Sequence, residues 1–177
     1  PMKPLFSAIM DSLNFMPMGS FTAGEKDQPL MKAGGYPFLT TICYEDAFGE
    51  ESAFRMGDAA YLVNVTNDGW FGETVEPYQH MQMARMRALE TGRYLLRSTN
   101  NGLTAIVDPA GKIIRQAPLF QVATLTGLIT PMSGLTPYAR FGDFPVILAL
   151  SLILLGTLVV SILTKRRYTE KNGVKIH

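Results

Sequence analysis

The chain changes from a strand pattern to a helix pattern within residues 40–48, Thr-Thr-Ile-Cys-Tyr-Glu-Asp-Ala-Phe. An apolar β-type run over 36–42 leads into this stretch, and an amphipathic helical pattern over 48–56 follows it. The pattern predicts a strand-to-helix turn, where a side chain lies at the end of a sheet beside the unpaired amides of the next helix. Cys43, the one cysteine among 177 residues, lies in this turn.

Cys43 is a candidate nucleophile, because such a turn presents the thiol together with backbone N–H groups that stabilise negative charge. A free cysteine is largely protonated at neutral pH and needs a base or a positive field for activation. Glu45 and Asp46 are anionic and disfavour a thiolate unless one of them acts as the base, so we expect the activating group elsewhere. The alternative interpretation of this stretch alone is a small, buried, apolar cysteine at a strand end.

The charged residues of the chain nearly balance, since 16 Lys and Arg stand against 15 Asp and Glu. The net charge of +1 gives no global positive field, so nucleic acid is not an expected partner. A single cysteine excludes an internal disulfide. The sequence starts at Pro1 without a signal-peptide pattern, and we expect it to be part of a longer protein.

An uncharged apolar stretch covers residues 144–163, Phe-Pro-Val-Ile-Leu-Ala-Leu-Ser-Leu-Ile-Leu-Leu-Gly-Thr-Leu-Val-Val-Ser-Ile-Leu. As a helix it is long enough to cross the roughly 30 Å hydrocarbon layer of a bilayer. Lys165, Arg166 and Arg167 follow it, and the positive-inside rule then predicts a cytoplasmic C-terminus, with the rest of the chain outside the cytoplasmic membrane. The alternative is a buried core helix, but a soluble helix of this length usually has a polar face.

The residues between the cysteine turn and the apolar stretch alternate between strand and helix patterns. A nearly continuous apolar run over 60–65 predicts a strand buried on both faces, and the periodicity over 77–96 predicts a long helix. Residues 25–35 are predicted to be a polar, turn-rich connection. Further strands are predicted over 94–99, 103–107, 112–116 and 122–129. Strands alternating with helices predict an α/β layered fold.

The loop over 66–72, Thr-Asn-Asp-Gly-Trp-Phe-Gly, follows the predicted strand over 60–65. Exposed aromatic side chains on a loop usually have something packed against them, so Trp70 and Phe71 are candidates for substrate or lipid contact. A simple lid over the core is the alternative interpretation. His80, near the start of the long helix, could serve as a general base, but we expect a structural role for a lone helical histidine.

Five stretches of the chain carry a family resemblance when they are taken together and in order: residues 42–46, 64–72, 79–93, 98–102 and 134–140. They resemble the apolipoprotein N-acyltransferase family, whose catalytic part belongs to the nitrilase (carbon-nitrogen hydrolase) superfamily. The cysteine stretch alone is typical of the whole superfamily, whereas its combination with the tryptophan stretch is more specific.

The resemblance implies an α/β fold, the C-terminal half of a nitrilase-like α-β-β-α sandwich followed by one transmembrane helix. On this basis the expected organisation has a catalytic portion over 1–130, a linker over 131–143, the transmembrane helix over 144–163 and a basic cytoplasmic tail over 164–177. The superfamily uses a Glu-Lys-Cys triad. Only its cysteine has a counterpart here, so the general-base Glu and the oxyanion-stabilising Lys are expected upstream.

The resemblance also implies roles for individual residues. Cys43 would be the nucleophile, Tyr44 would add its backbone amide to the oxyanion hole, and Glu45 would support the site by hydrogen bonding. The expected substrate-binding residues are Asn67, Trp70 and Phe71. No cofactor and no metal are expected, and the chain by itself is expected to be inactive.

The activity implied by the resemblance is transfer of an acyl chain from a phospholipid to the diacylglyceryl-cysteine of an apolipoprotein, through a cysteine thioester. The expected location is the inner membrane of a Gram-negative cell, with the catalytic domain on the periplasmic side. One alternative is a membrane-tethered amidase of the nitrilase type, in which water replaces the amine. A second alternative, from a different class, is a noncatalytic membrane-anchored interaction module.

Overall fold

The computed structural model describes residues 24–25, 28–70, 72 and 74–172, and within this part of the chain six strands form one mixed sheet. The strands lie side by side in chain order. They are β1 (Met31–Ala33), β2 (Tyr36–Ile42), β3 (Tyr61–Thr66), β4 (Leu95–Thr99), β5 (Ala105–Val107) and β6 (Ile113–Gln116). The helices are α1 (Gly49–Arg55), α2 (Glu76–Thr91), α3 (Pro137–Phe141) and α4 (Phe144–Asn172). This architecture confirms the predicted α/β class.

The centre of the sheet is parallel: β2 pairs with β3 and β3 pairs with β4 in the same direction, whereas the other pairs are antiparallel. Parallel neighbours need a crossover connection, which α1 and α2 provide. The carboxyl ends of the three parallel strands therefore meet at one edge of the sheet. A turn of 3₁₀ helix follows β2 at Cys43–Ala47, and a second one follows β3 at Asp68–Trp70. The fold thus brings these two turns to the same edge, where open α/β sheets usually bind ligands.

The core lies between the parallel strands and their crossover helices. Leu39, Leu62 and Leu95 are aligned across β2, β3 and β4 and point to the same face of the sheet. Helix α2 covers this row with Met81 and Ala84, which are 2% and 0% exposed. The small side chain of Ala84 lets the helix approach the sheet closely, and burial of the leucines stabilises each crossover by roughly 2 kcal/mol per side chain.

Three predicted elements differ from the observed ones for local reasons. The strand predicted over 122–129 is wrong: this segment has no regular secondary structure and pairs with no strand in the described part of the chain. The polar connection over 25–35 contains β1, which returns to β2 through Gly34 and Gly35, both at positive φ as tight hairpins require. The long helix stops at Thr91, because Gly92 adopts a left-handed conformation with φ 64° and caps it.

Helix α4 contains the apolar stretch, and residues Phe144–Tyr168 form one candidate membrane span, whose most apolar 18-residue window has a mean hydropathy of 2.9. None of this stretch is buried against the rest of the described chain, which argues against a core helix. At 1.5 Å per residue its 25 residues cover roughly 37 Å, more than the apolar thickness of a bilayer. The predicted linker over 131–143 includes the short helix α3, which begins at Pro137 directly after the N-cap Thr136.

Candidate functional site

Cys43 begins the 3₁₀ turn directly after β2 and is partly exposed. Its φ of 53° lies in the left-handed region, which residues with a Cβ adopt rarely. A backbone in this conformation persists only where the surroundings hold it, and such residues concentrate at functional sites. The strand-to-helix turn predicted for this stretch is present, and Cys43 is not among the buried residues of the hydrophobic core.

Hydrogen bonds fix the backbone of this turn from both sides. The Ile42 N–H donates to Glu45 Oε2 at 2.8 Å, so the glutamate carboxylate closes its own turn. The Cys43 carbonyl oxygen accepts from Asn64 Nδ2 at 3.3 Å, and Asn64 also donates to Thr41 Oγ1 at 3.0 Å. The turn after β2 is thus attached to the neighbouring strand β3 through one fully buried amide side chain.

The turn after β3 contains the residues predicted to contact substrate. Asn67 is exposed, and its Oδ1 accepts from the Gly69 N–H at 3.0 Å. A Cβ at position 69 would lie 2.9 Å from that oxygen, so a side chain there would displace the Asn67 amide from this hydrogen bond. Trp70 ends the 3₁₀ turn, but only its backbone is described, and Phe71 lies outside the described residues. Asn67 and the backbone of Trp70 are accordingly near the same sheet edge as Cys43.

Beneath the two turns lies a buried ionic cluster made of Asp46, Asp68, His80 and Arg97. Each of these side chains is at most 3% exposed. His80 Nε2 lies 3.0 Å from Asp46 Oδ1, and His80 Nδ1 lies 2.9 Å from Asp68 Oδ1. Arg97 donates to Asp46 Oδ2 at 2.8 Å and to Asp68 Oδ2 at 3.3 Å. Two cations therefore alternate with two carboxylates below the Cys43–Ala47 turn, which we call the nucleophile turn.

Residues 5–138 match the family model described as carbon-nitrogen hydrolase. The chain belongs to the carbon-nitrogen hydrolase family. Family membership confirms the superfamily inferred from the sequence, and with the mixed sheet it confirms the nitrilase-like fold.

Curated relatives of this chain carry a more specific name. An apolipoprotein N-acyltransferase from Methylococcus capsulatus is 52% identical over 147 residues, covering 83% of this chain and 29% of the relative. One from Nitrosomonas europaea is 45% identical over 156 residues, covering 88% of this chain and 31% of the relative. The chain thus spans less than a third of the length of these relatives. A carbon-nitrogen hydrolase from Helicobacter pylori aligns at 15% identity with a TM-score of 0.48, over 55% of this chain and 41% of that one.

The protonation state of His80 follows from its partners. Carboxylates only accept hydrogen bonds, so two carboxylate neighbours require an N–H on both ring nitrogens. Burial acts to lower the pKa of His80, but its hydrogen bonds to Asp46 and Asp68 outweigh burial and raise the pKa to about 10. Burial likewise acts to raise the pKa of Asp68, but the hydrogen bond from His80 and the charge of Arg97 bring it below its ordinary value.

These shifts predict a stability that depends on pH in both directions. Because the pKa of His80 is raised from 6.5 to about 10, its contribution is complete below about pH 6.5 and is lost as pH rises through 10. Because the pKa of Asp68 is lowered from 3.8, its contribution is complete above about pH 4 and is lost on acidification. We expect the alkaline loss to be on the order of a few kcal/mol.

Urea unfolding measured across this pH range checks the prediction. A His80→Gln variant, which cannot titrate at this position, serves as the control. The alkaline loss should be much smaller in the variant, and an equal loss in both proteins would assign it to other groups.

Asp68, Glu76 and His80 place three potential metal-ligand atoms within 4.8 Å of one another. Two of the three residues are already engaged, since His80 donates from both nitrogens and Asp68 is paired with Arg97. An imidazolium has no free lone pair for a metal ion. We therefore assign the cluster no metal.

The sequence patterns predicted the cysteine turn but missed the ionic cluster beneath it. Its partners are far apart in the chain: Arg97 and Asp46 are 51 residues apart, and His80 and Asp46 are 34 apart. The available signal was polar residues inside apolar strand runs, namely Asn64 in β3 and Arg97 in β4. The structural role expected for His80 agrees with its burial and its two hydrogen-bonded nitrogens.

Proposed function

We propose that this chain is the C-terminal catalytic part of an apolipoprotein N-acyltransferase. The observation that carries the proposal is 52% identity over 147 residues to a relative of that name. The partly exposed Cys43 in a left-handed turn at the carboxyl edge of the sheet supports it, because the reaction needs an accessible nucleophile there. The substrates would be a phospholipid acyl donor and the diacylglyceryl-cysteine of an apolipoprotein.

The first half-reaction forms a thioester. The Cys43 thiolate attacks the carbonyl carbon of the phospholipid ester, and the new C–S bond gives a tetrahedral oxyanion. The backbone N–H of Tyr44 stabilises this oxyanion, a contribution of about 3 kcal/mol for one well-placed donor. Collapse of the intermediate breaks the C–O bond, and the departing lysophospholipid oxygen takes up a proton.

The second half-reaction transfers the acyl chain to the acceptor. The amine of the diacylglyceryl-cysteine attacks the thioester carbonyl carbon, the C–N bond forms and the C–S bond breaks. The nitrogen loses a proton and Cys43 is regenerated as a thiol or thiolate. Two acyl transfers in series through one covalent intermediate give ping-pong kinetics.

Two groups in this scheme come from outside the chain in our proposal: a Glu that removes the thiol proton and a Lys that neutralises the oxyanion. Glu45 is the nearest carboxylate in sequence, but it is hydrogen-bonded to the Ile42 N–H and serves to hold the turn. The share of the relatives that the chain covers, 29% and 31%, leaves ample length for the missing groups.

Labelled phospholipid and a synthetic diacylglyceryl-peptide test the proposed function. The full-length protein should transfer label to the peptide amine, whereas the isolated chain should not. Appearance of free fatty acid with no acylated peptide would instead favour the tethered amidase. A Cys43 thiol that reacts with an acyl-mimicking electrophile no faster than free cysteine would favour the noncatalytic module.

The proposed location follows from helix α4. Its apolar part is exposed along its whole length, and Lys165, Arg166 and Arg167 lie at its C-terminal end. We propose an inner-membrane protein in which this end is cytoplasmic and the sheet is periplasmic. Both substrates carry acyl chains, so a site anchored to the bilayer meets them where they reside.

Replacing Trp70 with alanine should impair substrate use more than folding. In our proposal Asn67, Trp70 and Phe71 contact the acyl chain or the lipoprotein, and loss of a large aromatic contact raises KM. We expect kcat/KM to fall about tenfold while the melting temperature changes little. Steady-state kinetics and thermal unfolding of the full-length protein measure the two effects. A lower melting temperature with unchanged kcat/KM would make Trp70 a lid over the core.

A further inference from the structure

His80 is the one described side chain that contacts the nucleophile turn at two points and the neighbouring turn at a third. Its Nε2 lies 3.0 Å from Asp46 Oδ1 and 3.3 Å from the Cys43 carbonyl oxygen, so it faces both the start and the interior of the Cys43–Ala47 turn. Its Nδ1 lies 2.9 Å from Asp68, the first residue of the Asp68–Trp70 turn. One ring thus links the nucleophile to the turn that contains Trp70.

We propose that His80, as an imidazolium, is a positioning residue that holds the Cys43 backbone in its left-handed conformation and fixes the distance between the two turns. The inference gives His80 a role that the proposed function does not include. The expected fall in kcat on replacing His80 rests on the proposed function. His80 does not reach the reacting atoms in this proposal, because both ring nitrogens are occupied by groups of the protein.

The geometry requires the doubly protonated ring. Each nitrogen faces a carboxylate oxygen, which has no hydrogen to donate, so a neutral ring would leave one carboxylate without its donor. The cluster also needs the charge: Asp46 and Asp68 are balanced by His80 and Arg97, and loss of one cation would leave a buried negative charge unpaired. His80 therefore cannot act as the general base without disrupting the turn that presents Cys43.

The groups that face His80 come from every element packed around it. The nucleophile turn contributes Asp46 and, with ring centroids 6.3 Å apart, Tyr44. The second turn contributes Asp68, helix α2 itself contributes Glu76 at 3.6 Å, and β4 contributes Arg97 as the second cation of the cluster. The carboxylates outnumber the neighbouring cation, which keeps the ring protonated at neutral pH.

The contacts of His80 with Cys43, Asp46 and Asp68 are called the clamp below. The strain in the Cys43 backbone explains why the clamp is needed. A residue with a Cβ at φ 53° returns to a relaxed backbone when its contacts are weakened. Two donors hold its carbonyl oxygen, Asn64 Nδ2 and His80 Nε2. Without His80 one donor remains. The Tyr44 N–H would then move with the carbonyl, because both belong to one peptide unit, and the sulfur would move because it is attached through Cβ to the Cα of Cys43.

The decisive variant is His80→Gln in the full-length protein, with Gln79→Ala as the matched control because Gln79 is the exposed preceding residue of the same helix. Glutamine is similar in size but cannot donate to two carboxylates on opposite sides. We expect kcat to fall about 100-fold with KM little changed, since a displacement of about 1 Å at the reacting atoms has that effect. The control should have the kcat and KM of the unmodified protein.

A spectroscopic measurement tests the ring directly. This chain contains two histidines, His80 and His177, and ¹⁵N-histidine spectra of the protein compared with His80→Gln identify the His80 signals. Both His80 nitrogens should show the shifts of protonated imidazolium up to about pH 9, in line with a pKa raised to about 10. A neutral tautomer at pH 7 would overturn the inference.

Further outcomes separate this inference from the proposed function. If His80→Gln does not fold, Asp68→Asn is used instead: it keeps the acceptor, removes one carboxylate charge, and should lower the pH at which His80 loses its proton.

The alkylation rate of Cys43 by iodoacetamide is measured in every variant. A protein that transfers no acyl chain, but whose Cys43 alkylation rate changes in His80→Gln, supports the clamp and contradicts the function. Unchanged kcat and unchanged alkylation in a folded His80→Gln protein contradict the clamp.

Discussion

Replacing Cys43 with serine in the full-length protein is expected to abolish thioester formation and to reduce acyl transfer by at least about three orders of magnitude. A serine hydroxyl is far less acidic than a thiol, and the proposed reaction depends on a thiolate. The variant should fold normally, because Cys43 is partly exposed and the substitution changes only the side-chain atom. The left-handed backbone is equally demanding for both residues.

Intact-protein mass spectrometry after incubation with phospholipid measures the effect. The unmodified protein should gain the mass of one acyl chain, and hydroxylamine should remove it, as expected for a thioester. The serine variant should gain nothing. A serine variant that still acylates the peptide at the normal rate would show that Cys43 is not the nucleophile, and far-UV circular dichroism excludes loss of fold as the cause.

Replacing Arg97 with methionine is expected to lower the free energy of unfolding by about 3–5 kcal/mol. The Arg97 side chain is fully buried and pairs with both Asp46 and Asp68, so its removal leaves two carboxylates facing one cation. It also donates to Asn64 Oδ1 at 2.6 Å, and that amide holds the Cys43 carbonyl. The same substitution should therefore impair catalysis as well as stability.

Urea unfolding at pH 7 measures this effect, and Arg115→Met is the matched control. Arg115 is exposed on the edge strand β6, so its replacement should change the free energy of unfolding by no more than about 0.5 kcal/mol. Adding Asp68→Asn to Arg97→Met should restore part of the loss, because it removes the unbalanced charge. Equal effects of the two arginine substitutions would contradict the assignment of a buried charge cluster.

Elements with a local signal were predictable from the sequence. The apolar runs identified β2, β3 and β4 to within a residue at each end, and the polar residues after β2 indicated the turn at Cys43. Elements whose secondary structure depends on partners far away in the chain were not predictable from the sequence. Residues 122–129 have β-forming side chains but no neighbouring strand among the described residues, and a strand needs a partner for its backbone hydrogen bonds.

The positions of the candidate site residues in the fold were predictable to the same extent, whereas their roles stay predictions. Cys43, Tyr44 and Glu45 are adjacent, so one short pattern contained them all. The ionic cluster beneath them was hidden, because it forms only when β2, β3, β4 and α2 pack together. Arg97 and Asn64 interrupt apolar runs, which marks them as unusual but does not name their partners.

Helix α3 lies between the sheet and helix α4 in the chain, and the residues on either side of it are hydrogen-bonded to α1 and α2. Thr136 donates to the Glu90 carbonyl of α2 and accepts from the Ala139 N–H, and the Asp143 N–H donates to Glu50 Oε1 of α1 at 3.4 Å. These hydrogen bonds to α1 and α2 restrict the movement of α3 relative to the sheet. In the proposed membrane setting the Cys43 sulfur therefore stays at a fixed distance from the lipid headgroups. The donor phospholipid must then move its ester carbonyl out of the bilayer to reach the sulfur.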